Sequence, residues 1–516
     1  CFLDSFPGGR PPGPVHHRLS MIFAHVFEND WLGILPEGFL AVTILGLLVA
    51  GVILSTSAPM GFPLMVVPMI YLSVWALLVT VLLVLHTPFE MVAFYNVFVV
   101  DALAGLLKLG ILGGATAALL MSTTYVRTHM VNIFEYGILI LLASLAMLFL
   151  VSSYDFLSMY LAIEMQALCF YVLAGCKRNS EFSTEAGLKY FLLGAFSSGL
   201  LLFGMSLVYG CTGLTNVEDV AKLLVGIEAE TEVHALTAVG LVMVTIGFLF
   251  KLSAAPFHFW APDVYEGAPS SVTAFFAIVP KFALVGCTLR VLLTCFYDFL
   301  FVWQHLVVVS VLASLLIGAF GAMAQKKIKR VLVYSSIGHV GFILMGLLSG
   351  TVEGVQAVLV YLVIYALTTV NIFGIVLSVS SAHGEGYMKY ISDLKHLSKA
   401  HPALAFALAM TLFSLAGIPP LAGFYAKFIV LFGALTSDLY TVALFGVLTS
   451  VVSAFYYLRL IKVMYFEAAS DEVTVDGLDR AKATLVACTS VFLMGFFLYP
   501  QILFLWTEKV ASAFLG

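Results

Sequence analysis

Charge is scarce in this sequence. Asp, Glu, Lys and Arg make up 10% of its 516 residues, where a soluble domain averages about 25%. So few charged groups cannot clothe a chain of this length in water. Nor is the balance basic: the formal net charge is −5, so nothing favours a nucleic-acid partner. Paired cysteines are missing too. The seven cysteines at 1, 169, 176, 211, 287, 295 and 488 include no Cys-x-x-Cys pair, which removes the usual spacing for iron–sulfur or zinc ligation. There is no Gly-x-Gly-x-x-Gly fingerprint and no P-loop to cradle a phosphate. His339 is the one histidine placed deep in an apolar run, so a bis-histidine haem lacks its second ligand. The expectation is a chain with no cofactor-binding or metal-binding residues of its own.

What is present in excess is apolar surface. Hydrophobic residues reach 62% and mean hydropathy is +1.07. Apolar runs of about 20 residues recur, the length that crosses a bilayer as a helix. In lipid only helices or closed barrels satisfy the backbone. Barrel strands would alternate over about ten residues, and these runs do not. The reading is an all-α polytopic membrane protein with fourteen spans, near 36–56, 62–86, 98–121, 131–150, 152–175, 184–209, 235–257, 270–294, 302–323, 331–349, 354–380, 402–434, 439–466 and 483–505. The opening "CFLDSFPGGRPPGPVHHRLS" is rich in Pro and Gly and lacks an initiator Met. A mature end left by presequence removal and a chain that merely starts there both fit.

An even number of spans puts both termini on one side. Arg10, Arg18, Lys222 and Lys509 fall on that side; Arg127, Lys177, Arg178, Lys326, Lys327, Lys329, Arg330, Lys389, Lys395, Lys399, Arg459, Lys462, Arg480 and Lys482 fall on the other. Arg290, at a span end, is ambiguous. The positive-inside rule makes the basic side the matrix or cytoplasmic face.

Five basic residues remain inside spans: Lys108, Lys189, Lys251, Lys281 and Lys427. Glu164 is a carboxylate deep in a span and His339 lies mid-span. A charge at the bilayer centre costs at least about 2.5–3.5 kcal/mol on insertion scales. Snorkelling relieves a residue near a span end, such as Lys189. It does not relieve Lys251, Lys281 or Lys427. Two explanations stand: a static network locking helices together, or a proton or cation path, since a buried lysine can lose its proton near neutral pH. Lys108, in "DALAGLLKLG", is expected to snorkel or to pair with Asp101 in a static role. Glu164 has no Lys or Arg within one turn, and Lys189 is its expected partner from the next span.

Prolines interrupt two spans. "KLSAAPFHFWAPDVYEGAP" carries Pro256, Pro262 and Pro269 just after Lys251; "SLAGIPPLAGFYAKF" carries Gly417, Pro419, Pro420 and Gly423 just before Lys427. Each proline removes a helical hydrogen bond, and the second break accounts for the excess length of the twelfth run. Broken helices at corresponding places in two halves point to an inverted-repeat transporter. The breaks lie in the seventh and twelfth spans. They are five spans apart, an odd offset, so spans 4–8 and 9–13 form two inverted five-helix repeats. The expected organisation is an extension at 1–35, further spans at 36–130, repeats at 131–295 and 300–466, and a C-terminal helix at 467–516. Unwound backbone beside Lys251 frees carbonyls, admits water and lets its proton move.

Four stretches, "FKLSAAPFHFWAPDVYEGAP", "IKRVLVYSSIGHVGF", "LAGIPPLAGFYAKF" and "EAGLKYFLLGAFSSGLLLFGMSLVYG", resemble the antiporter-like membrane subunits of NADH:ubiquinone oxidoreductase (respiratory complex I), in particular the subunit-2 branch. The resemblance covers roughly residues 36–510, and "PDVYEGAP" is its most specific element. It implies a proton-pumping module whose polar axis falls on Glu164, Lys189, Lys251, Lys281 and Lys427, with His339 and Lys329 at further polar positions. It implies that NADH, FMN, iron–sulfur clusters and ubiquinone are bound in other subunits. The implied partners are the other membrane-arm subunits, the sister antiporter-like subunits among them, and a lipid such as cardiolipin. The implied place is the mitochondrial inner membrane, both termini on the intermembrane-space side; a bacterial inner membrane is the alternative. A stand-alone cation/proton antiporter, a purely structural subunit and a quinone-binding enzyme are the competing readings.

Overall fold

A computed structural model describes residues 14–54, 65–87, 90–128, 133–225, 232–379, 388–395, 397–467 and 479–515, with side chains from residue 30 onward except at 232 and 233. Residues 1–13 of the expected N-terminal extension and 468–478 of the expected C-terminal segment lie outside them. Thirteen described helices are long and apolar enough to cross a membrane. Spans 1 to 6 are Asp30–Leu54, Val66–His86, Ala102–Thr128, Glu135–Ser152, Phe156–Ala174 and Glu181–Thr212. Span 7 is His234–Lys251 and span 8 is Ser270–Cys295. Spans 9, 10, 11, 13 and 14 are Leu300–Met323, Ile328–Leu348, Val352–Val376, Tyr440–Phe466 and Arg480–Leu498. Span 12 is composite: Pro402–Ala416 and Ala422–Thr436.

Local chemistry sets several ends. Asp155 caps span 5 by accepting from Leu157 N at 3.1 Å, and Thr351 caps span 11 by accepting from Gly354 N at 3.2 Å; each satisfies a donor that a helix start leaves orphaned. Pro280 and Pro402 stand at first helical positions, where a missing N–H costs nothing.

The breaks fall in spans 7 and 12, as the proline pattern predicts. The first half-helix of span 7 stops at Lys251 and a short helix resumes at Trp260–Gly267. Other boundaries move. The helix that holds span 1 runs back without interruption to Pro14. The run read as 483–505 is two elements: span 14, then a separate helix Gln501–Leu515 that packs against spans 3 and 11. A short hairpin, Met91–Ala93 with Phe98–Val100, joins spans 2 and 3.

The two repeats make matching contacts. Span 4 packs on 5, 5 on 6, 6 on 7 and 4 on 8; span 9 packs on 10, 10 on 11, 11 on 12 and 9 on 13. A finer match lies in the loops. Residues Asp155 and Asn216 bridge the start of span 5 to the end of span 6; Lys327 and Tyr390 bridge the start of span 10 to the end of span 11. The backbone bonds correspond, Phe156 N to Thr215 O and Val217 N to Tyr154 O against Ile328 N to Lys389 O and Ile391 N to Lys326 O. Spans 5 and 10 are five crossings apart, so these equivalent bridges close opposite ends of the bundle.

Burial ranks the spans. Every residue in the most apolar stretch of span 8 is buried, and 89% in spans 10 and 11, against 22% in span 1. The interior of the protein is therefore the seam between the repeats. Spans 9 and 10 cross at glycine: a Cβ on Gly318 would meet Gly338 N at 2.6 Å, and His339 follows directly.

Candidate proton-translocation axis

Lys251 ends the first half-helix of span 7 and donates to Ser198 Oγ of span 6 at 2.9 Å. The unwound chain beyond it is not left unsatisfied. Ser310 Oγ of span 9 donates to Ala255 O at 2.7 Å, Ala255 N donates to Ser314 Oγ at 3.2 Å, and Trp260 Nε1 donates to Phe250 O at 2.9 Å. Side chains thus replace the helical bonds that Pro256 removes, as a break at membrane depth demands. A cavity of about 30 Å3 lies against Lys251, lined also by Gln166, Tyr190, Ser253 and Lys281. At about 10–15 Å3 per water, it has room for about two.

Lys281, on the far side of that cavity, is buried. Its Nζ donates to Tyr365 Oη of span 11 at 2.6 Å and sits 4.0 Å from the centre of the same ring. The Tyr365 ring lies 5.3 Å from His339. His339 is held at both nitrogens, Nδ1 2.7 Å from Tyr361 Oη and Nε2 3.0 Å from Tyr457 Oη. Two further cavities connect His339 to Lys427: about 20 Å3 beside Tyr457, and about 10 Å3 beside Tyr361 and Tyr365. Lys427 Nζ donates to Leu415 O at 2.8 Å and Ala416 O at 3.1 Å. These carbonyls end the first half of span 12, where the dipole favours a cation. Lys251, Lys281, His339 and Lys427 therefore lie in one line across the seam between the repeats.

Two expected pairings are corrected. Lys189 does not face Glu164: it pairs with Glu185 at 2.7 Å, one turn back on its own helix, and with Asp263 at 3.1 Å. Among the described residues Glu164 makes no ion pair, and its buried Oε1 has no hydrogen-bond partner. Lys108 does not pair with Asp101. It meets Glu37 of span 1 at 2.6 Å, both fully buried, while Asp101 takes Arg290 at 2.6 Å. Glu37 was missed because it stands at the very start of its apolar run. Loss of one partner from such a buried pair costs about 3–5 kcal/mol.

The "PDVYEGAP" element also acquires a physical meaning. Asp263 accepts from Lys189 of span 6 and from Arg330 of span 10, the latter at 2.9 Å. Glu266 accepts from both Lys327 and Arg330. Lys329 donates to Ala268 O at 2.8 Å. The short helix after the first break is thus tied to both repeats. Among the residues that sequence reasoning passed over are Tyr361 and Tyr365. Their spacing of four puts both on one helix face, and that was the available signal. Among the described residues no group of His, Cys, Asp or Glu side chains converges as a metal site.

Residues 153–453 match the family model described as NADH:quinone oxidoreductase/Mrp antiporter, TM. The chain belongs to this family. The matched segment runs from the start of span 5 through most of span 13, and so contains every residue of the axis. NADH-ubiquinone oxidoreductase chain 2 of Marchantia polymorpha is 47% identical over 94% of this chain and 99% of its own length. NADH-quinone oxidoreductase subunit N of Parvibaculum lavamentivorans is 43% identical over 94% of this chain and 98% of its own. Among solved structures, a chain of respiratory complex I from Thermus thermophilus with bound Aureothin superposes with a TM-score of 0.75 at 31% identity, covering 91% of this chain and 98% of that one. Within the family the chain sides with the subunit-2 and subunit-N members.

Proposed function

We propose that this chain is the antiporter-like proton-translocating subunit of an NADH:ubiquinone oxidoreductase and that its protons travel along Lys251, Lys281, His339 and Lys427. The observation that carries the reading is the line itself: amines linked by a hydrogen bond, an imidazole and cavities of water size, with Lys251 and Lys427 beside the breaks of spans 7 and 12 and Lys281 just after the interruption at Val279 in span 8. A static network would bind each lysine to a carboxylate. Here Lys251, Lys281 and Lys427 rest on a hydroxyl, a phenol and two carbonyls, partners that tolerate loss of the proton.

In this reading NADH oxidation and quinone reduction belong to other subunits, which hold FMN, the iron–sulfur clusters and the quinone. Their signal reaches Glu164 and Lys189. For Lys189 to approach Glu164 it must leave Glu185 and Asp263, so this ionic cluster is where a movement is converted into charge. A negative Glu164 favours the charged form of Lys251, and shielding it releases the proton to Lys281. The stand-alone antiporter alternative uses the same fold; the identities to oxidoreductase subunits over nearly the whole chain favour the complex. The place that fits is the mitochondrial inner membrane, with sister subunits and lipid as neighbours.

The decisive variant is Lys281→Arg. Arginine keeps the charge and does not deprotonate. In vesicles containing the assembled complex, NADH-driven proton uptake should fall by about a hundredfold, at the low end of what a positioned proton-transfer group supplies. Uptake at the normal rate would mean that Lys281 serves only as a fixed charge. Orientation is tested separately. The basic loop at 324–330 should face the matrix, so trypsin added outside right-side-out mitoplasts should leave Lys326 uncut; cleavage there would reverse the topology.

A further inference from the structure

Lys281 depends on a single hydroxyl. Among the described residues Tyr365 Oη is the one hydrogen-bond partner of its Nζ, at 2.6 Å, and both residues are buried. Ser336 Oγ is buried without a hydrogen-bond partner, and it shares a cavity of about 10 Å3 with Ser335, Thr369, His339 and Tyr365. A second cavity of similar size joins Tyr365 to Tyr361, His339 and Lys427. Each has room for about one water. Tyr265 also lines both the cavity around Ser336 and the one shared by Lys251 and Lys281, but its hydroxyl donates to Phe276 O at 3.1 Å.

We propose that Tyr365 relays protons between Lys281 and His339, and that Tyr361 and Tyr457 hold the imidazole in register to receive them; the proposal rests on the axis read above. Lys281 gives a proton from its ammonium to the phenol oxygen of Tyr365 as the phenol's own proton leaves for a water in the adjoining cavity. That water passes one of its protons to Tyr361 Oη, which passes its own to Nδ1 of His339. Every hydroxyl and the water gain one proton and lose one. Lys281 ends as a neutral amine and His339 as an imidazolium whose Nε2–H donates to Tyr457. Rotation of the phenol hydroxyl resets the relay. The ring keeps its second task, since its face holds the Lys281 ammonium 4.0 Å from the centroid, an attraction of the cation–π kind.

Tyr365→Phe tests this, because it keeps the ring and removes only the hydroxyl. The assembled complex should accumulate normally in vesicles, while coupled NADH turnover falls by about a hundredfold, the low end for a positioned proton-transfer group. The turnover that remains should slow further in D2O, by a larger factor than the parent complex does, because proton transfer has become limiting. Normal turnover overturns the proposal. So does a loss with an unaltered isotope effect, or a failure to accumulate, since either makes the hydroxyl a structural bond. Tyr365→His, which restores a group able to pass protons, should recover part of the rate. Lys281→Arg, measured in the same vesicles, separates the two levels. If it is slow while Tyr365→Phe is normal, the axis stands and the relay falls. If both are normal, both fall.

Discussion

Gly423→Ala should reduce coupled NADH turnover by about two decades, the factor that corresponds to about 3 kcal/mol at about 1.4 kcal/mol per decade. A Cβ at this position would lie 1.9 Å from the carbonyl oxygen of Ser414 and 2.9 Å from its Oγ. The two halves of span 12 therefore touch here, backbone to backbone, and the obstacle is a carbonyl that cannot rotate away. The halves must part by about an ångström, since real Cβ contacts essentially never fall below 3.0 Å. The same joint carries the bond from Gly423 N to Ser414 Oγ at 2.9 Å and the bond from Lys427 Nζ to Leu415 O at 2.8 Å. Opening it takes the Lys427 ammonium away from the carbonyls that seat it. Gly433→Ala is the control on the same half-helix, because its added Cβ finds its nearest neighbour at 4.0 Å. Both variants are to be compared as turnover per assembled complex in vesicles. Equal rates in the two would show that the close approach at Gly423 has no part in transport.

Glu266→Ala is expected to lower the amount of assembled complex by about tenfold, the factor that corresponds to about 1.4 kcal/mol. Glu266 is four-fifths covered and accepts from Lys327 and Arg330 together. Its loss leaves two cations beside Lys329 with one carboxylate, Asp263, which already serves Lys189 and Arg330. None of the three residues is fully buried, so each ion pair is worth about 1 kcal/mol or less, and the two together put the loss at about 1–2 kcal/mol. The effect should fall on stability, because the short helix Trp260–Gly267 is what ties span 6 to span 10. Glu266→Ala combined with Arg330→Met removes one surplus cation and should recover assembly in part. The quantity to measure is the fraction of complex surviving a detergent and temperature series on native gels. A single variant as stable as the parent would mean that this network contributes nothing to holding the repeats together.

How much of this was legible depends on which forces act locally. Fourteen crossings followed from runs of apolar residues, and the two breaks from Pro256 and from Pro419 with Pro420, because insertion cost and a missing backbone donor belong to one segment of chain. Lys251, Lys281 and Lys427 stood out for the same reason, since each is an expensive group within its own run. Spacing also exposed the odd offset, five spans, from one break to the next, and with it the inverted pairing of repeats.

The partners of those groups were decided only in the folded protein. Lys189 found Glu185 one turn away, a contact its sequence spacing permits, and then Asp263 from beyond the break rather than Glu164. Lys108 reached Glu37 across two spans, although Asp101 lies closer in the chain. Tyr365, Tyr361 and Tyr457 are ordinary aromatic residues in apolar helices until spans 8, 10, 11 and 13 bring them around Lys281 and His339. The amino-acid sequence by itself determined which residues must be buried with a charge and where helices must stop. It did not determine which group each would meet, because a contact between helices depends on their depth, rotation and crossing. Those are settled by side-chain packing of separate spans, as where Gly318 rests on Gly338 and Gly423 on Ser414.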